Sequence, residues 1–159
     1  MIKPLDPETN VLRTLLVDAP QEVIWKALTD PNITRLYTSM AISAGLKQGE
    51  PLEWYSREED NTRHVMAKGT VLALVPNERL RYTRYHVGSG LPDELASHTT
   101  VDFHLTPEPD GRTRVDLWEG DFAGLPQAVK RAREAGKVWV EALVGLKRES
   151  EEQARLMAA

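Results

Sequence analysis

The sequence predicts a one-domain α+β fold: a strand, two short helices, a run of antiparallel strands and a long C-terminal helix. Three observations carry that prediction. From Ala41 to Phe122, short β-rich runs alternate with turn residues. Val129, Ala132, Gly136, Trp139, Leu143 and Leu146 step by 3, 4, 3, 4 and 3 residues, one sustained apolar helix stripe. Two helix-start signals, Asp18-Ala19-Pro20 and Asp30-Pro31, follow directly on the first strand. A chain of 159 residues has the size of one domain and can bury one sizeable core.

Residues 1–10 are polar, carry Pro4 and Pro7, and read as an N-terminal arm ahead of a single domain over residues 11–159. Val11 to Val17 is rich in Val and Leu and predicts the first strand. Pro20 to Thr29 follows as a helix, with Val23, Ile24, Ala27 and Leu28 on one stripe. Asp30-Pro31 opens a second short helix through Tyr37. Six further strands are expected: Ala41–Leu46, Pro51–Ser56, Arg63–Val75, Arg79–Val87, His98–Thr106 and Arg112–Phe122. Short connections make neighbours antiparallel, giving a sheet of about six or seven strands with one face for the long helix. Beyond Leu146 the stripe fades into the charged run Glu149 to Arg155.

Composition excludes several classes of function. With 20 Lys and Arg against 24 Asp and Glu, the net charge is −4, which disfavours nucleic acid as a partner. There is no cysteine, hence no disulfide, thiolate metal site or cysteine nucleophile, as expected of a cytoplasmic protein. No apolar run reaches the ~20 residues of a membrane span, and the first residues lack the apolar core of a signal peptide.

Four segments resemble one known family in the right order. Asp18-Ala19-Pro20-Gln21-Glu22-Val23-Ile24-Trp25-Lys26-Ala27-Leu28-Thr29-Asp30-Pro31 is the first. Lys68-Gly69-Thr70-Val71 with Pro76-Asn77-Glu78-Arg79-Leu80-Arg81-Tyr82-Thr83 is the second. Gly111-Arg112-Thr113-Arg114-Val115-Asp116-Leu117 with Gly120-Asp121-Phe122 is the third, and Gly136-Lys137-Val138-Trp139 with Leu143 to Leu146 the fourth. Together they resemble the SRPBCC, or START-like, superfamily, in the branch named after the activator of the 90-kDa heat-shock protein's ATPase. The resemblance covers about residues 11–150. It implies a helix-grip fold, a curved antiparallel sheet wrapped around the C-terminal helix with a cavity between them. It further implies binding of apolar or lipid-like small molecules or, from the branch name, a chaperone partner in the stress response; some relatives are cyclases or hydrolases. The branch has no universal catalytic motif, so no catalytic residue is carried over.

Strand parity supplies the candidate binding residues. Leu80 and Tyr82 share a face with Arg84 and His86, and Val115 and Leu117 share one with Glu119. If the apolar members face the core, Arg84, His86 and Glu119 enter the same concave space, as anchors of a pocket or as an internal ion pair. Phe103 alternates with polar neighbours, and Trp54 shares a face with Leu52; both are expected to line that space. Ala132, Gly136 and Trp139 lie on the helix stripe. The small Ala132 and Gly136 leave room either for a ligand or for close helix–sheet contact. Glu119 with His86 is a conceivable acid–base pair, or a structural polar contact. His86 and His98 lack metal-ligand spacing, and Ser89 lacks the nucleophile-elbow motif. Trp118 has outer-face parity, where it could meet a partner. Lys130, Arg131, Arg133 and Lys137 read as a solvated basic face. The expected function is binding of an apolar or amphipathic small molecule, without a cofactor or metal, in a monomer or homodimer. The alternatives are a chaperone-regulating module and a cyclase- or hydrolase-type enzyme.

Overall fold

Val11–Val17 forms β1, one edge of a seven-stranded antiparallel sheet in the computed structural model, which describes residues 5–159. Met1 to Pro4, the start of the expected arm, lie outside the described residues. Gln21–Thr29 is α1 and Pro31–Thr38 is α2. The Asp30 side chain accepts from the Asn32 N–H at 2.8 Å, and Pro31 fills the first helical position, so a cap and a proline start α2 as the sequence predicts. The remaining strands are β2 (Ala41–Ile42), β3 (Pro51–Arg57), β4 (Arg63–Val75), β5 (Arg79–His86), β6 (Thr99–Pro107) and β7 (Thr113–Gly120). Their order is β1-β7-β6-β5-β4-β3-β2. Ala128–Ala158 is α3.

Two details depart from the sequence reading. The strand expected over Ala41–Leu46 stops at Ile42, because the chain turns away through the left-handed Gly45 (φ 69°) and Gly49 (φ 85°). Leu95–Ser97, inside the loop before β6, forms a short 3-10 turn. The long helix continues past Leu146, where its apolar stripe fades. Lys147–Glu151 and Glu152–Arg155 ion pairs span successive turns of its charged end and support it to Ala158.

The sheet curls because its register breaks twice. Both breaks are bulges on β4, with Met66 as the extra residue opposite Trp54 and Tyr55 of β3, and Leu72 as the extra residue opposite Arg81 and Tyr82 of β5. Gly69 sits where β4 and β5 approach most closely; a Cβ there would lie 1.7 Å from the Thr83 carbonyl oxygen, so only glycine fits. The concave face carries Leu80, Tyr82, Val101, Phe103, Val115 and Leu117, all buried, and α3 lies along it. Phe103 and Trp139 meet edge to face, ring centroids 5.6 Å apart. α1 and α2 close the far side by packing on α3, and Tyr37 of α2 rests directly on Gly145.

Candidate functional site

Two neighbouring features occupy the concave side, a buried polar cluster and a small apolar cavity. The cluster comes from strand register. Arg84 on β5 pairs with Thr99 on β6, and Val101 on β6 pairs with Glu119 on β7. This brings Arg84 and Glu119 together across β6. Glu119, 1% exposed, accepts from Arg84 Nη2 at 2.7 Å and from Trp139 Nε1 at 2.8 Å through Oε1. Its Oε2 accepts from Thr99 Oγ1 at 2.7 Å. The Arg84 guanidinium lies 5.0 Å from the Trp139 ring centre, with its Nε buried and without a hydrogen-bond partner among the described residues. A buried carboxylate is tolerated here because one counter-charge and two neutral donors replace its water shell. Of the two sequence alternatives, pocket anchor or internal ion pair, the geometry is that of the ion pair.

The cavity lies farther along α3. It measures about 20 Å³, lined on the sheet side by Trp54, Leu80, Tyr82 and Phe103. Trp139, Ala142, Leu143 and Leu146 line it from α3, and Leu28, Tyr37 and Thr38 from the short helices. That is room for about one water, far below the ~300 Å³ of a pocket for a drug-sized ligand. Two of the lining residues carry a buried polar atom, Trp54 Nε1 and Tyr82 Oη, that makes no hydrogen bond of good geometry among the described residues. Burial raises the Tyr82 pKa well above the ordinary tyrosine value; the Arg84 charge and the nearby Trp54 indole oppose it, and Glu119 adds to it. Tyr82 is therefore a neutral hydroxyl at any physiological pH. Tyr37, also held protonated mainly by burial, donates to the Ala27 carbonyl oxygen at 2.7 Å.

The sequence candidates divide accordingly. Trp54, Leu80, Tyr82, Phe103 and Trp139 line the cavity. Arg84 and Glu119 stand beside it as a closed pair, and Val115 and Leu117 are core residues that do not reach it. Ala132 and Gly136 do not reach it either, because their size serves contact with β1. A Cβ on Gly136 would lie 2.7 Å from Arg13 Nη2 and 3.9 Å from a Val11 methyl. Both instead line a surface groove between α3 and the residues leading into β1. His86 lies at the exposed end of β5. Protein packed around its ring, and then the Arg84 charge, lower its pKa to about 4, while the Glu119 charge opposes them. No hydrogen bond joins His86 to Glu119, whose oxygens already hold three donors, so an acid–base pair is not assembled.

The remaining candidates are accounted for by local contacts. His98 packs on Tyr85, and its Nδ1 lies 3.0 Å from the Glu94 carbonyl oxygen. Among the described residues no group of three metal-ligating side chains comes together. Trp118 sits on the outer face, under Arg81 and donating to Asn10 Oδ1 at 2.9 Å. Arg131, read as part of a solvated face, instead donates to the Pro126 and Ser89 carbonyl oxygens and ties the loop after β5 to the start of α3. Sequence reasoning missed Leu28, Tyr37, Thr38 and Ala142 as cavity walls, placed Leu143 and Leu146 only in the core, and missed Thr99 as a Glu119 partner. Parity held the signal for Thr99, which shares its strand face with Val101 and Phe103.

The family model for "Activator of Hsp90 ATPase homolog 1-like protein" matches residues 18–151. The chain belongs to this family. The match takes in both short helices, the sheet from β2 to β7 and most of α3, including the Arg84–Glu119 pair and the whole cavity lining. Solved structures share the fold at low identity. A solution structure from Cytophaga hutchinsonii is 23% identical with a TM-score of 0.71, covering 91% of this chain and 94% of its own. The Aha1 dimer from Colwellia psychrerythraea is 18% identical with a TM-score of 0.67, covering 89% and 96%. CalU16 from Micromonospora echinospora is 23% identical with a TM-score of 0.64, covering 94% and 85%. No curated protein matches the chain. Family and fold are compatible with ligand binding, with an Aha1-like interaction and with cyclase-type chemistry. No helix among the described residues is long and apolar enough to cross a membrane.

Proposed function

We propose that this protein binds a small, mostly apolar molecule between the curved sheet and α3. The observation that carries the reading is the pair of unpartnered polar atoms, Trp54 Nε1 and Tyr82 Oη, at an otherwise hydrocarbon cavity. Leaving a buried donor unpaired costs about 1–3 kcal/mol, a cost that packing alone gives no reason to keep. A bound molecule that accepts from these groups offsets it. Binding requires the cavity to widen, and its thinnest wall is where that happens. Tyr37, Thr38, Trp54 and Ala142 line the cavity while remaining only partly buried, so displacing α2 from α3 opens the space to solvent.

Native mass spectrometry of freshly purified protein tests this reading. The expected result is an adduct that denaturation releases as an organic molecule. A bare chain, together with unchanged Tyr82, Trp54 and Leu143 amide signals across a library of one-ring compounds, refutes it.

A second reading has its own observation. Val138, Val140 and Val144 of α3 are 61%, 49% and 59% exposed, which favours a protein-facing role of the kind the family description names. Stimulation of the ATPase of a purified 90-kDa heat-shock protein, lost on Val140→Lys/Val144→Lys, is the outcome expected on that reading.

A further inference from the structure

We infer that the sheet–helix cavity selects uncharged molecules carrying a hydrogen-bond-accepting oxygen, such as an aryl ketone, ester or lactone, and rejects carboxylates. The inference rests on the ligand-binding reading and specifies its chemistry. Charge is decided by the neighbouring cluster. Arg84 lies against Trp139, a wall of the cavity, and is paired with Glu119 at 2.7 Å. An anionic ligand would have to share Arg84 with a buried carboxylate, placing two like charges in one site of low polarity. A cationic ligand meets the opposite obstacle, since the Glu119 oxygens already accept from Arg84, Trp139 and Thr99. Neutral molecules meet neither.

Hydrogen bonding decides the rest. An indole N–H only donates, so Trp54 can be satisfied only by an acceptor. The Tyr82 hydroxyl, kept neutral by burial, can donate to the same oxygen. Both residues line the same small cavity, so one ligand oxygen is within reach of the two donors. A carbonyl oxygen has two lone pairs and accepts both donors at once. Phe103 and Trp139, already edge to face beside the cavity, offer aromatic walls for a planar ring.

The test uses three one-ring probes of nearly equal shape: acetophenone, its hydrocarbon isostere α-methylstyrene, and benzoate. Each is titrated by NMR into the full chain, the Tyr82→Phe variant and the Trp54→Phe variant. Tyr82→Phe removes a hydroxyl that makes no hydrogen bond of good geometry among the described residues, so the fold tolerates it. Acetophenone should bind, and each substitution should weaken it about 5- to 10-fold, the worth of one hydrogen bond. α-Methylstyrene should lose nothing, and benzoate should bind most weakly of the three. If Tyr82→Phe and Trp54→Phe leave the acetophenone-to-α-methylstyrene ratio unchanged, or benzoate binds best, the selectivity is overturned while the ligand-binding reading stands. If none of the three probes binds, both fail.

Discussion

Glu119 is the residue around which the concave face is organised. It is 1% exposed, and three donors from three elements end on it. Replacing Arg84 by Met removes the only one of them that carries charge. The remaining carboxylate is buried without a counter-ion, and breaking such a pair costs about 3–5 kcal/mol. Urea unfolding of wild type and Arg84→Met at pH 7 measures the loss. Arg84→Met/Glu119→Leu should recover much of the deficit, because an apolar pair of suitable volume replaces a buried ion pair at little cost. A single-variant loss below ~0.5 kcal/mol at pH 7 would show that Glu119 does not depend on the pair.

Between elements, the contact that governs access to the cavity is α2 on α3. Gly145 lets Tyr37 sit against the helix backbone; a Cβ at Gly145 would lie 2.5 Å from the Tyr37 Cβ. Gly to Ala inside a helix ordinarily stabilises by roughly 0.5–1 kcal/mol. Here the clash reverses the sign. The neighbour is the root of a side chain already tied to Ala27, so α2 has to move, and overpacking of this kind costs about 1–3 kcal/mol. Gly145→Ala should lower the urea midpoint; a raised midpoint would mean that α2 shifts freely. This contact also marks the limit of sequence reading. Strand period 2 makes the inward set Leu80, Tyr82, Arg84 and Val115, Leu117, Glu119 legible, because alternation follows directly from covalent geometry. Glycine on a helix stripe is ambiguous by nature: it fits a hole and a close approach equally. Gly136 and Gly145 are both close approaches, made against Arg13 and Tyr37, residues more than a hundred positions away. Cavity size and extent depend on such distant pairings, so the sheet–helix interface was readable, while its 20 Å³ and its separation from Ala132 and Gly136 were not.

At the scale of the whole molecule, α3 is fastened at two places. Near its middle Trp139 bonds to Glu119; near its end Lys147 and Glu151 reach back to the first strand. Lys147 Nζ donates to the Leu16 carbonyl oxygen at 2.9 Å, and the Asp18 N–H donates to Glu151 Oε1 at 3.0 Å. The Lys147 bond, opposed by some burial and helped by the Asp18 N–H, holds the Glu151 pKa below its ordinary value of 4.5. A carboxyl with a depressed folded pKa contributes stability that is present above the unfolded value and lost as pH falls through the folded one. Wild-type protein should therefore lose melting temperature on acidification below about pH 4.5 in part through this clasp. Asp110 and Asp121, whose pKa values are also lowered, add to the same acid loss, so the clasp must be isolated by difference. Glu151→Gln keeps the shape and removes the titration. At pH 7 the variant should melt lower than wild type, and the gap should narrow steadily as pH falls below 4.5. Calorimetry at half-unit steps from pH 7 to pH 3 measures that gap. A gap that stays constant across the window would mean that α3 is held at this end by packing alone, with the Lys147–Glu151–Asp18 contacts contributing no net stability.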